Sequence, residues 1–99
     1  MTINIQYVQM AMNEIISEYV TEKLLKLGHK FGWIIKADVH FKNENDPKGK
    51  GKICKIELSL PGPRVFATSN EKNYELAVNN TIRDLQIQLK KRKEIYKTY

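Results

Sequence analysis

Four consecutive cations, Lys90-Lys91-Arg92-Lys93, end a stretch that begins Tyr74-Glu-Leu-Ala-Val. Within it, apolar side chains recur at Tyr74, Val78, Ile82, Leu85 and Leu89, the three-to-four spacing of one helix face. Arg83, Lys90 and Lys97 stand seven apart and share a stripe on another face, with Lys93 beside it. A helix that buries one side and offers a cationic side and end is suited to meet an anion. A second basic row, Lys23, Lys26 and Lys30, has i, i+3, i+7 spacing and shares one side of an earlier helix if that helix persists to Lys30. Lys26 also stands four residues from Glu22, a spacing that gives an intrahelical pair of a few tenths of a kcal/mol; both roles are compatible. Ammonium and guanidinium groups hold phosphate oxygens; they do not by themselves break bonds.

No constellation for catalysis accompanies them. There is no Ser/His/Asp set, no paired carboxylates with a reason for a shifted pKa, and Gly49-Lys50-Gly51 lacks the spacing of a phosphate-cradling loop. His29 and His40 have no partner at metal-ligand spacing, and Cys54 alternates toward the core as a small hydrophobe. The reading is a binding protein with no catalytic residues, no metal and no cofactor. Phe31 and Trp33 are expected to close the core; Tyr96 and Tyr99 are candidates to stack on RNA. Leu76 and Ile87 fall off the apolar stripe.

Composition narrows the partner. The chain of 99 residues has 17 Lys+Arg against 11 Asp+Glu, net +6. The excess is uneven: residues 1–50 carry seven basic and six acidic side chains, residues 51–99 ten and five. Such a field attracts polyanions, with nucleic acid the leading class, and says nothing about fold. An anionic membrane is disfavoured because the cationic helix spends its apolar face on the core. The lone cysteine rules out an internal disulfide, no apolar run approaches the roughly 18 residues of a membrane span, and the N-terminus lacks a secretory signal. The expectation is a cytoplasmic protein of one domain, residues 1–99.

The elements that position these side chains follow from periodicity. Thr2 to Val8 alternates Ile3, Ile5, Tyr7 with polar residues. Asn13 is an N-cap for a helix with Ile16, Val20, Leu24 and Leu27 as its buried stripe and Gly28 and Gly32 flanking its exit. Ile35 to Lys42 places Ile35, Ala37, Val39 and Phe41 inward, and Lys52 to Leu60 does so with Cys54, Ile56, Leu58 and Leu60. Pro61-Gly62-Pro63 turns into a short fourth strand over Arg64 to Ser69, in which Val65 and Phe66 compete to face inward. The loop Asn43 to Gly51 is rich in turn formers and expected to be mobile. Strands that keep one polar face call for helices on one side alone. The fold class is α+β: a two-layer sandwich of order β-α-β-β-β-α, with a four-stranded sheet and two helices on one face.

With these elements in order the chain resembles the ribosome hibernation promoting factors, also called ribosome-associated inhibitor or protein Y-like proteins. The resemblance rests on Ser17-Glu-Tyr-Val-Thr-Glu-Lys-Leu-Leu-Lys-Leu27, on Ile35-Lys-Ala-Asp-Val-His-Phe41, and on Tyr74-Glu-Leu-Ala-Val with Gln88-Leu-Lys-Lys-Arg-Lys93. It spans nearly the whole chain and matches the family's short form, without the C-terminal dimerising domain of longer members. The resemblance implies a monomer that sits on the small ribosomal subunit and its ribosomal RNA, in the channel of messenger and transfer RNA, and holds idle ribosomes inactive. It assigns RNA contacts to Lys23, Lys26 and Lys30 and to Lys90, Lys91, Arg92 and Lys93, with Arg83 added by the stripe. Family members often carry cations where this chain has Asp84 and Ile87. No small-molecule substrate is implied. Two other readings stay open: an adaptor that recognises duplex RNA by shape, since the element order resembles an extended double-stranded-RNA module, and a protein-interaction regulator using the bare sheet face.

Overall fold

The computed structural model describes residues 1–97; the Lys97 side chain, Thr98 and Tyr99, and with them two of the cationic and stacking candidates, lie outside the described residues. Thr2–Val8 forms β1, Glu14–Lys30 α1, Lys36–Asn43 β2, Lys52–Ser59 β3, Val65–Glu71 β4 and Tyr74–Lys97 α2. The expected order and fold class hold. The sheet runs β1-β2-β3-β4, with β1 parallel to β2 and the other pairs antiparallel. A parallel neighbour in the same sheet cannot be reached by a tight turn, so α1 serves as the crossover.

Each helix starts where its sequence says it should. The Asn13 carboxamide accepts from the Ile16 N–H at 3.2 Å, and Asn73 does the same for Leu76 at 2.8 Å. The expected stripe of α1 (Ile16, Val20, Leu24, Leu27) is buried, and so are Val78, Leu85 and Leu89 of α2. Opposite them lie Ala37, Val39 and Phe41 of β2, then Cys54, Ile56 and Leu58 of β3. α2 lies across β3 and β4 and beside α1.

One expectation shifts, at Ile35, and three other places gain detail. α1 continues through Gly28 and closes at Phe31, whose N–H reaches the Leu27 carbonyl at 2.9 Å; a Cβ on Gly28 would meet the Met1 side chain. Ile35 is 61% exposed, because a turn joining the Phe31 carbonyl to the Ile34 N–H swings Ile34 into the core and leaves Ile35 outside. In β4 Val65 faces inward and Phe66 outward. The loop after β2 is pinned at its base: Glu44 N–H donates to the Gly51 carbonyl at 2.9 Å and Gly51 N–H to Asn70 Oδ1 at 2.7 Å. Gly51 has φ +122°, and a Cβ there would lie 1.9 Å from the Glu44 carbonyl oxygen, so glycine is required.

Thr81 is the buried polar residue that the apolar stripe did not mark. Its hydroxyl donates to the Ala77 carbonyl at 2.8 Å, the four-back bond open to a mid-helix threonine, and also faces the Cys54 carbonyl at 3.2 Å. It thereby ties α2 to β3. Burial pushes the Cys54 thiol up to about 12, partly offset by Thr81. The folded chain therefore keeps a proton that the unfolded chain, with an ordinary value of 9.0, gives up as pH rises. Cys54 favours folding fully below about pH 9, and that contribution is lost progressively above it. Urea midpoints at about pH 8 and pH 10.5 should fall less for Cys54→Ala than for the natural chain, and native protein should not react with a thiol reagent near pH 8.

Candidate RNA-binding surface

α1 and α2 lie side by side on one sheet face, so each turns one shoulder toward the other. The Tyr19 hydroxyl of α1 donates to Asn79 Oδ1 of α2 at 2.9 Å and fixes which residues stand on those shoulders. At about 100° per residue, Lys23, Lys26 and Lys30 share the α1 shoulder with Tyr19, while Arg83, Lys90 and Lys93 stand near Asn79 on α2. A cleft of about 150 Å³ between the helices is lined by Lys23, Lys26, Leu27, Lys30, Ile82 and Gln86. The Lys23 ammonium sits 5.4 Å from the centre of the Tyr19 ring, and Lys26 pairs with Glu22 at 3.7 Å. That pair is largely solvent-exposed and holds Lys26 weakly, so it can yield to a phosphate.

Six of the eight sequence candidates thus gather on one face. The other two do not. Lys91 stands on the side of α2 turned away from α1. Arg92 is half-buried and spans to the turn between β3 and β4, where its Nη1 donates to the Pro63 carbonyl at 3.0 Å and the Pro61 carbonyl at 3.4 Å. Tyr96 joins it by donating its hydroxyl to Pro61, and its ring meets Trp33 edge-on at 5.3 Å. Trp33 in turn meets Phe31 edge-on at 5.8 Å. The free stacking role expected of Tyr96 gives way to this clamp. Gly62 of this turn, at φ +90°, is where a Cβ would come 3.3 Å from Arg92 Nη1.

The departures at Asp84 and Ile87 fall outside the cleft. Asp84 accepts from Gln88 Nε2 at 3.2 Å, and Gln88 Nε2 reaches the Phe66 carbonyl of β4 at 3.0 Å, which places both on the flank away from α1. Ile87 is 52% exposed, whereas Leu76 is half-buried.

The helix-free sheet face differs in charge. Asp38 and Glu57 sit directly opposite one another on β2 and β3, each with a cation, Lys36 at 3.6 Å and Arg64 at 3.4 Å. A concavity of about 380 Å³ lies beside them, lined by residues such as Val8, His40, Lys42 and Lys55. His40 is half-buried there, and its Nδ1 is buried with no hydrogen-bond partner among the described residues. Among the described residues no cluster of three or more His, Cys, Asp or Glu could hold a metal ion. No helix among them is long and apolar enough to cross a membrane.

The pattern that defines the Sigma 54 modulation protein / S30EA ribosomal protein family matches residues 3–97. This chain belongs to that family. Its fold is similar to a ribosomal subunit interface protein from Coxiella burnetii: 22% identity, 95% of this chain and 99% of that one covered, TM-score 0.82. It is also similar to the N-terminal domain of Protein Y from Thermus thermophilus: 22% identity, 92% and 98% covered, TM-score 0.78. Likeness at this level of identity establishes the shared fold. No match among curated proteins was found. Within the family fold, the clamp on the β3–β4 turn holds the last turns of α2, where the cations stand. Arg92→Ala should therefore cost about 1–2 kcal/mol in a thermal or urea melt, because it removes two bonds from a charged donor. A melt unchanged from the natural chain would return Arg92 to the free cations.

Proposed function

We propose that the chain lays its two-helix face on ribosomal RNA of the small subunit, in the channel that messenger and transfer RNA occupy, and holds idle ribosomes inactive by occupying it. The observation that carries this reading is that Lys23, Lys26 and Lys30 of α1, which line the cleft, and Arg83, Lys90 and Lys93 of α2 stand on neighbouring flanks of two side-by-side helices. Family membership, and the naming of one structural relative as a ribosomal subunit interface protein, support the choice of the ribosome over other polyanions. Residues 1–99 act as one binding domain and a monomer, without catalysis. Cationic rows on two rigid helices fit the phosphates of a structured RNA, fixing position and shape while reading little sequence.

Three outcomes test it. In sucrose gradients the protein should migrate with the small subunit; a light RNA complex would replace this reading with duplex-RNA recognition, and no RNA association would direct attention to the open sheet face. If the six gathered cations each neutralise a phosphate, the log–log slope of affinity against salt should be roughly −4 to −5. A flat response between low and physiological salt would exclude the basic surface. Excess protein should also displace messenger and initiator transfer RNA from the subunit.

The helix geometry further separates neighbours. Lys90→Glu with Lys93→Glu should weaken subunit binding by an order of magnitude or more with the melt unchanged, whereas Lys91→Glu should weaken it far less. Equal losses from both would dissolve the distinction between the two sides of α2.

A further inference from the structure

The cleft between α1 and α2 is not uniformly cationic. Leu27 and Ile82 give it a hydrocarbon floor, lysines stand along one rim, and Gln86 stands on the other. The Tyr19–Asn79 hydrogen bond closes one end, one helical turn before Lys23 and Ile82. Gln86 is half-buried, and its side-chain amide makes no hydrogen bond to another described residue. Phosphates need the ammonium groups alone and gain nothing from an aliphatic floor or an idle amide. An RNA duplex keeps its bases stacked inside, out of reach of such a floor. An unpaired nucleotide differs: it has a flat face suited to apolar contact, a polar edge, and a charged backbone directly beside both.

We propose that the cleft receives one unpaired, extruded base of the bound RNA. Its faces lie against Ile82 and the edge of Leu27, and its polar edge meets the Gln86 amide, which can both donate and accept. The flanking phosphates rest on Lys23, Lys26 and Lys30. The volume of about 150 Å³ admits one ring system. The charge of the rim selects a polyanion as the bearer of that ring. This deepens the reading of the two-helix face given above and rests on it. It adds that the face distinguishes RNA with an exposed base from a perfect duplex of equal charge.

The test uses purified small ribosomal subunits. The natural chain should protect the pairing edge of at least one unpaired base from base-specific chemical probes, together with neighbouring backbone from hydroxyl radicals. Gln86→Trp, which fills the cleft while leaving every lysine in place, should abolish the base protection, keep part of the backbone protection and weaken binding about tenfold. Gln86→Ala leaves the floor open and should weaken binding by a smaller factor; melts of both variants establish folding. Should the tryptophan variant unfold, the alanine variant and the footprint of the natural chain decide. Backbone protection without base protection, or a folded Gln86→Trp that binds normally, overturns the proposal. So does a photoreactive group at position 86 that crosslinks to a ribosomal protein instead of RNA. If those results come with binding that still collapses in the Lys90→Glu, Lys93→Glu variant, the cleft alone is refuted and the basic surface stands. If that variant also binds normally, the two-helix face itself falls.

Discussion

The whole arrangement depends on covering one face of a narrow sheet. Four strands at about 4.8 Å spacing give a surface under roughly 20 Å wide, and packed helices lie about 8–10 Å apart. Two helices cover that face and a third has no room. Once α1 and α2 share it, the flank of each is forced against the flank of the other, whatever those flanks carry. Here they carry cations, so basic residues distant in sequence come to stand on neighbouring flanks beside one cleft.

Concentrating like charge on one surface is tolerated because these side chains remain largely in water, where their mutual repulsion is weak and screened. The last turns of α2 are the exception that needs support. Four adjacent cations disfavour order among themselves, and the negative end of the helix offsets this by only some tenths of a kcal/mol. Arg92 and Tyr96 supply a firmer hold by bonding the turn between β3 and β4. One of the four cations is thus used to keep two others, Lys90 and Lys93, in place.

The two faces of the molecule differ in kind. On the open sheet, carboxylates and cations alternate and pair, as at Lys36–Asp38 and Arg64–Glu57, so its field falls off within a short distance. On the helix side, rows of the same sign point outward from two rigid rods. A polyanion approaching from solution is steered to the second face before any specific contact forms.

Local order was readable from the sequence because it depends on neighbours in the chain. Period-two alternation gave β1 over Thr2–Val8, and period 3.6 gave the stripes Ile16–Leu27 and Val78–Leu89; the cap Asn13 needs nothing beyond its own first turn. Family resemblance and net charge were also present in the residue types alone. What the sequence could not show depends on distance in space. Ile35 faces outward because a turn upstream breaks the parity of its strand, and Thr81 is buried because β3 offers it a carbonyl. The parallel pairing of β1 with β2 leaves no local mark. The division among Lys90, Lys91, Arg92 and Lys93 is the clearest case. They are chemically alike and adjacent, and a helix turns each by about 100° from the last. Only the positions of α1 and of the β3–β4 turn decide which of them stand on the flank toward α1 and which one holds the fold.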